Sequence, residues 1–375
     1  MKIRIEISCL ATKQPSGVAN YTKQLTKALN KEKDIKILGS YFNFLNRQPN
    51  NNIPKNIKIE KNTFFPLRIY SKINSYNFNI PFDLFKPSVD LTIFPNFATW
   101  KTCNSKLKAT VIHDLTFLYF PDLIEEKNLA HLKRVVPRSI KNADFIITVS
   151  NAVKNEITKE YNYNSDRIVV TPIPPDEKYL KINNNEIHDK YKIPTKKFIL
   201  FLGNLEPRKN LPTLIEAYCK LPKPIKNEYS LIIAGGNGWK TEKSKQAISK
   251  AQSKGEKVKH VGFVDSKDSG AFFQKASLFV MPSLYEGFGM PILEAMACNC
   301  PVLASDIPVL RETGSYAVHY AKTSDPEDFS KKIEYILNDK NIQNKMIKDG
   351  KKRLIEISWD KNVKNIIEVS NHLIR

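Results

Sequence analysis

The chain has 375 residues, 41% of them hydrophobic, which is more than one core usually serves, so two domains are expected. Its 59 Lys and Arg against 38 Asp and Glu give a formal net charge of +21, which suits an anionic partner: phosphorylated substrates, an acidic membrane surface or nucleic acid. Five scattered cysteines, Cys9, Cys103, Cys219, Cys298 and Cys300, have no zinc or redox spacing, and no stretch nears the roughly 20 apolar residues of a membrane span, so a disulfide scaffold, a zinc module and an integral membrane protein are set aside.

The opening MKIRIEISCL alternates charged and apolar residues and is expected to be a strand, not a signal peptide, in a reduced, cytoplasmic protein. Ser16 and Gly17 then enter a helical pattern through Leu25 and Leu29; they form either a plain turn or a place where backbone approaches a ligand. Residues 40–88 mix Tyr41, Phe42, Phe44, Phe64, Phe65, Tyr70, Tyr76, Phe78, Phe82 and Phe85 with Asn, Pro, Lys and Arg. They read as the core of irregular connections, with a membrane-docking or base-stacking surface as the alternatives.

Val89 to Phe94 and Ala109 to His113 read as strands, the second ending in His113-Asp114 before LTFLYFPD. A histidine there either caps the turn or faces a ligand at the carboxyl end of a parallel strand. Glu125 to Asn142 is an amphipathic helix with a cationic face of Lys127, Lys133, Arg134, Arg138 and Lys141, either solvated or lying on an anionic membrane surface. Pro137 should kink or divide it. DFIITVS, Asp144 to Ser150, is a buried strand, and Ser150 either caps the next helix or touches an acceptor. After Arg167 to Thr171, the run PIPPDEKY and then Asn183 to Asn185 place a domain boundary near residue 175.

Strand, turn and helix recur at KFILFLG, Lys197 to Gly203, followed by NLEPRKNLPTLIEAY. Arg208 and Lys209 stand before a helix, either as a surface pair or as a site for a diphosphate. LIIAGG, Leu231 to Gly236, lacks the dinucleotide spacing, and VKHVGFV, Val258 to Val264, is a further short strand. The stretch 277–314, SLFVMPSLYEGFGMPILEAMACNCPVLASDIPVLRETG, carries strands Leu278 to Met281 and Pro301 to Ala304 around a loop and a helix from about Pro291 to Cys298. Glu286, Gly287, Phe288 and Gly289 lie at a strand exit, where glycines admit a ligand to the backbone and a helix N-terminus favours phosphate. Glu286 would then face a neutral, hydroxyl-rich part of the ligand, and Glu294 a second hydroxyl; two solvated glutamates in a βα turn are the alternative. Pro326 to Ile357 reads as two helices and SWDKNVKNIIEVSNHL as a last one.

EGFGMPILEAMA, with seven residues between Glu286 and Glu294, and the CNCPVLASDIPVLRE that follows resemble the signature of retaining GT-B glycosyltransferases. The likeness is to the large bacterial group 1, or family 4, type that includes mannosyltransferases and glucosyltransferases of surface polysaccharide assembly. It implies an α/β fold of two Rossmann-like parallel-sheet domains facing a cleft: residues 1–175 binding the acceptor, 176–357 binding a nucleotide sugar, and 358–375 a helix crossing back to the first domain. By the same resemblance, Arg208 and Lys209 hold the donor's phosphates, His113 and Glu286 contact its sugar, Glu294 holds the ribose, and Phe263 and Val264 lie against the base. Ser16, Gly17, Gly287, Phe288, Gly289, Met290 and Pro291 complete the donor set, although relatives often carry two glycines where this chain has Ser16-Gly17. Asp114 and Ser150 are the expected acceptor contacts.

There is no DxD triplet, so no metal and no cofactor beyond a GDP- or UDP-linked co-substrate is expected, and Arg208, Lys209 and helix N-termini would stabilise the departing diphosphate. The expected reaction passes an oxocarbenium-like state, and the resemblance implies retention by front-face attack, with the leaving phosphate as base and domain closure excluding water. GDP-mannose is the first donor expected and a glycan or lipid-linked oligosaccharide the acceptor, with work at the inner face of the cytoplasmic membrane. UDP-sugar transfer, a sugar-nucleotide epimerase, a silent scaffold and a basic nucleic-acid binder are the alternatives; no nucleic-acid module is visible, so no nucleic-acid partner is expected.

Overall fold

Short runs of β-branched and aromatic residues, apolar on both faces, form buried parallel strands when helices cover both sides. The computed structural model describes residues 1–11, 17–44, 56–63, 66–75, 80–181 and 186–375. Two compact units result: unit 1 is Met1–Tyr119, Glu126–Ile173 and Ser358–Arg375, and unit 2 is Phe120–Glu125 and Pro174–Ile357.

Unit 1 runs β1 (Lys2–Glu6), α1 (Gly17–Leu29), β2 (Lys36–Phe42), β3 (Lys58–Asn62), α2 (Leu67–Ser75), β4 (Val89–Phe94), β5 (Ser105–Ile112), α3 (Thr116–Tyr119), α4 (Glu126–Asn142), β6 (Phe145–Thr148), α5 (Asn151–Tyr161) and β7 (Ile168–Val170). Its sheet has the order β3-β2-β1-β4-β5-β6-β7, with every pairing parallel. The order reverses between β1 and β4, the position at which such sheets bind ligands beyond their carboxyl ends. From Ile3 to Glu6 all of β1 is buried. Arg4 is accommodated there by Glu60 at 2.8 Å, Asp83 at 3.5 Å and the Pro87 carbonyl at 2.7 Å, because a buried charge persists only when it is paired.

Unit 2 runs α6 (Ile187–Tyr191), β8 (Lys197–Leu202), α7 (Leu211–Cys219), α8 (Lys223–Glu228), β9 (Tyr229–Ala234), α9 (Glu242–Ser253), β10 (Val258–Gly262), α10 (Ser269–Lys275), β11 (Leu278–Met281), α11 (Met290–Ala297), β12 (Val302–Ser305), α12 (Pro308–Gly314), β13 (His319–Ala321), α13 (Pro326–Asn338) and α14 (Lys340–Ile355). Its order is β10-β9-β8-β11-β12-β13, again parallel, and the reversal falls between β8 and β11. Ile199, Phe201, Leu231, Ile233 and Val280 of the strands form one core with Leu214, Ile248, Phe329 and Ile333 of the helices. Each such side chain contributes about 2 kcal/mol by leaving water. The last helix, α15 (Trp359–Ile374), packs in unit 1: the Trp359 indole donates to Gln24 at 2.8 Å, and Asn362 donates to the Pro172 carbonyl at 2.7 Å.

Three expectations change. α4 is one element across Pro137, not two, because Val136, Ser139 and Ile140 are buried beside it and the exposed proline ring costs only local hydrogen bonding. Of the 40–88 aromatics, Tyr41, Tyr70 and Phe82 are core, and Tyr70 and Phe82 cluster with Phe42 and Trp100, while Phe44 and Phe85 are exposed; Phe64, Phe65, Tyr76 and Phe78 lie outside the described residues, as do Ser16 and Asn183 to Asn185. Residues 120–125, read in sequence as part of the first domain, pack within unit 2.

Candidate functional site

In unit 2 the polar residues converge where the strand order reverses. The exits of β8 and β9 touch: a Cβ on Gly235 would stand 2.0 Å from the Gly203 carbonyl oxygen, so only glycine fits. β8 leads into a 3-10 turn, Pro207–Lys209, and the β11 exit is tied to that turn by the Leu284 N–H donating to the Arg208 carbonyl at 2.8 Å. Arg208, Lys209 and Glu286 are thereby brought together. Arg208 Nη1 donates to Glu286 Oε2 at 2.6 Å, Lys209 Nζ to Oε1 at 2.6 Å, and the Ser283 hydroxyl to Oε1 at 2.8 Å. Arg208 Nε also donates to Glu206 Oε2 at 3.2 Å, and Nη1 approaches the Tyr285 carbonyl at 3.4 Å.

Both carboxylates are buried. Burial alone would raise the Glu286 carboxyl, but attraction from Arg208, then Lys209, and the bonds they donate hold it at about 2. Burial lowers Lys209, with Glu286 pulling the other way. Three donors converge on Glu286, so the carboxylate is ionised at neutral pH. Three donors leave this carboxylate acceptor capacity for about one more hydroxyl. Two cations face two carboxylates, a charge balance that an incoming diphosphate would shift.

Beyond Glu286 the chain passes Gly287 and Phe288, whose carbonyl accepts from the Thr313 hydroxyl, to Gly289 at φ 91°. A Cβ on Gly289 would lie 2.6 Å from Leu310, so glycine alone makes this entry into α11, with Met290 and Pro291 as its first residues. Glu294 follows in the second turn, and burial raises it to about 7 against the pull of Lys178 and a bond from Tyr179. Phe263, just past β10, is 64% exposed and stands beside Gly236, an open aromatic face suited to a base; Val264 is half-buried.

In unit 1, His113 follows β5 directly. Its Nε2 lies 2.8 Å from the Pro95 carbonyl, which can only accept, so Nε2 carries the proton and Nδ1 is left to accept. Burial lowers its pKa, and the ring sits edge-on to Tyr21 and Phe97 at 5.1 and 5.5 Å. It can therefore take a hydrogen bond from a hydroxyl. Asp114 Oδ1 accepts from the Thr116 amide at 2.9 Å and hydroxyl at 2.7 Å, which fixes the turn into α3. Ser150 caps α5, accepting from the Val153 amide at 3.2 Å, and is fully buried. Gly17 begins α1, exposed.

Sequence reading missed Glu206, Ser283, Tyr285 and Tyr179. The NLEPRKN string contains Glu206, but only the fold shows its carboxylate turned onto Arg208. Among the described residues no group of three or more metal-ligating side chains gathers, and no helix is long and apolar enough to cross a membrane.

The profile of the family described as "Glycosyl transferases group 1" matches residues 183–353, which takes in this whole cluster. O-antigen chain mannosyltransferase B of Escherichia coli is 31% identical over 254 residues, 67% of this chain and 66% of that protein. Serotype-specific mannosyltransferase WbdA of Escherichia coli is 28% identical over 285 residues, 74% of this chain and 34% of that protein. The matches thus span just under two thirds of the one relative and about a third of the other. In fold, the chain superposes on Anabaena Alr3699/HepE, solved in complex with UDP and glucose, with a TM-score of 0.69 at 16% identity, covering 98% of both chains.

Proposed function

We propose that this chain, whose residues 183–353 match the group 1 glycosyl transferases, is a transferase of that kind and carries mannose from GDP-mannose to a glycan or lipid-linked oligosaccharide of a bacterial surface polysaccharide, with retention of configuration. The observation that carries the reading is the gathering of Arg208 and Lys209 on Glu286 at the exits of β8 and β11. The mannosyl assignment is supported by the relatives, both named as mannosyltransferases, one of them of O-antigen chains.

In this reading Arg208 and Lys209 turn from Glu286 to the diphosphate and stabilise its charge as the bond to the anomeric carbon breaks. Glu286 accepts from sugar hydroxyls, Glu294 holds the ribose, and Phe263 and Val264 flank the base. His113, through Nδ1, accepts from a hydroxyl of the transferred sugar, and the acceptor's proton passes to the leaving phosphate. Gly287 to Pro291 supply backbone around the phosphates, Gly17 is a further backbone contact of the donor, and Asp114 and Ser150 border the acceptor. The exposed Lys127, Lys133, Arg134, Arg138 and Lys141 of α4 favour work at the anionic inner face of the cytoplasmic membrane.

A second donor class is favoured by one observation, the UDP and glucose in the similar Anabaena structure. Purified protein given labelled GDP-mannose, UDP-glucose, UDP-galactose and UDP-GlcNAc with acceptor-bearing membranes separates the two. Transfer of label from GDP-mannose alone supports the proposal. Transfer from a UDP-sugar alone replaces the donor, and turnover of none with any acceptor overturns the reading.

A further inference from the structure

Residues 120–125 belong to unit 2 although the chain on both sides belongs to unit 1, and their contacts reach residues next to two members of the ion cluster. At one end the Phe120 ring lies 5.6 Å from that of Tyr285, the residue before Glu286 and a carbonyl partner of Arg208. At the other end the Trp239 indole N–H donates to the Leu123 carbonyl at 2.6 Å, and Lys240 Nζ donates to the Asp122 carbonyl at 2.7 Å. Trp239 follows Gly238, where a Cβ would stand 2.7 Å from Glu206 Cγ and 2.8 Å from the Leu205 carbonyl oxygen, so that loop is seated against the stem of the side chain whose carboxylate accepts from Arg208 Nε.

The contacts therefore run in a ring: Glu286, Tyr285, Phe120, Leu123, Trp239, Gly238, Glu206, Arg208 and back to Glu286. Lys240 takes φ 50°, a conformation that costs a side-chain-bearing residue and persists where surrounding contacts impose it. Asp122 and Lys240 are exposed and Trp239 is half-buried.

We infer that Phe120 and Trp239 are positioning residues: they hold the 120–125 strap so that the Tyr285–Glu286 loop and Arg208 are already set when the sugar diphosphate binds. The inference rests on the transferase reading for its catalytic consequence, not for its structural one. Preorganised charge stabilises a transition state without reorganisation at the moment of reaction, and misplacement of about 1 Å costs on the order of 100-fold.

The test uses the full chain with Trp239→Phe, which removes the N–H donor and keeps a ring, Phe120→Ala, and Phe120→Tyr, which restores the ring. Hydrogen exchange of residues 283–288 and kcat and KM for the nucleotide sugar are measured on each. Expected are faster exchange at 283–288 and a kcat lower by about ten-fold or more in Trp239→Phe and Phe120→Ala, a donor KM within about two-fold, and recovery in Phe120→Tyr. Unchanged exchange at 283–288 overturns the inference, as does a loss that Phe120→Tyr does not rescue. If exchange responds as expected while the unmodified protein turns over no nucleotide sugar, the positioning stands and the transferase reading falls; the reverse result separates them the other way.

Discussion

Replacing Glu286 by Gln keeps the shape of the side chain and removes the charge that holds Arg208 and Lys209. Holding the carboxyl from its ordinary 4.5 down to about 2 is worth about 3 kcal/mol at neutral pH. The same order follows from leaving two half-buried cations with one carboxylate fewer. Because the folded pKa is depressed, the contribution is complete above about pH 4.5, falls to about 1.5 kcal/mol at pH 3 and is gone near pH 2. Of the three tryptophans, only Trp239 lies in unit 2, so urea unfolding followed by its fluorescence, with Trp100 and Trp359 changed to Phe in both proteins, isolates the relevant unit. Glu286→Gln should be less stable by about 3 kcal/mol at pH 7, with the deficit roughly halved at pH 3. A deficit below about 1 kcal/mol at pH 7, or one equal at both pH values, refutes the reasoning.

Gly289→Ala should lose about 2 kcal/mol of stability, because φ 91° and the 2.6 Å approach to Leu310 both oppose a side chain; a thermal midpoint unchanged from wild type would contradict this. Glu294 is raised to about 7, so the folded state favours its protonated form: the stability tied to it is present below about pH 4.5 and lost as pH rises through 7. Glu294→Gln should flatten that part of the pH profile measured by urea unfolding, and a profile of unchanged slope tells against the raised value. Ser150→Ala should cost about 1 kcal/mol through loss of the cap on α5, read by urea unfolding of unit 1, while Ser150→Thr, which keeps a capping hydroxyl at this buried position, should cost less than Ser150→Ala.

What the sequence makes legible is local. Apolar runs such as KFILFLG and SLFVMP are buried strands wherever they occur, and each announces a polar turn and a helix, so the parallel α/β class follows from the order of short elements. Arg208, Lys209 and Glu286 stand out as charged residues at strand exits. That they bond to one another is not legible, because the pairing depends on β8 lying next to β11, a tertiary neighbourhood 77 or 78 residues apart in the chain.

The same limit hides the partners of Arg4. Alternation in MKIRIEI marks a strand but not that both faces are buried, and Glu60 and Asp83 sit in the stretch where polar and aromatic residues show no period. β2, β3 and α2 were unreadable there because their burial is set by neighbours and not by pattern. Residues 120–125 carry no local sign of packing in unit 2, since backbone carbonyls make two of the contacts and any residue supplies those.

The central claim is that Arg208 and Lys209 receive the diphosphate of a nucleotide sugar. The most direct measurement is calorimetric titration of GDP, UDP, GDP-mannose and UDP-glucose into the wild-type chain and into Arg208→Ala/Lys209→Ala, with thermal stability recorded in parallel. A ligand at about 100 times its dissociation constant should add about 2.7 kcal/mol to folding. The account predicts saturable binding of one nucleoside diphosphate and its sugar, abolished by the double substitution in a protein that still unfolds cooperatively. Binding of the same strength in the double variant, or no binding of any nucleotide to the wild type, would contradict it.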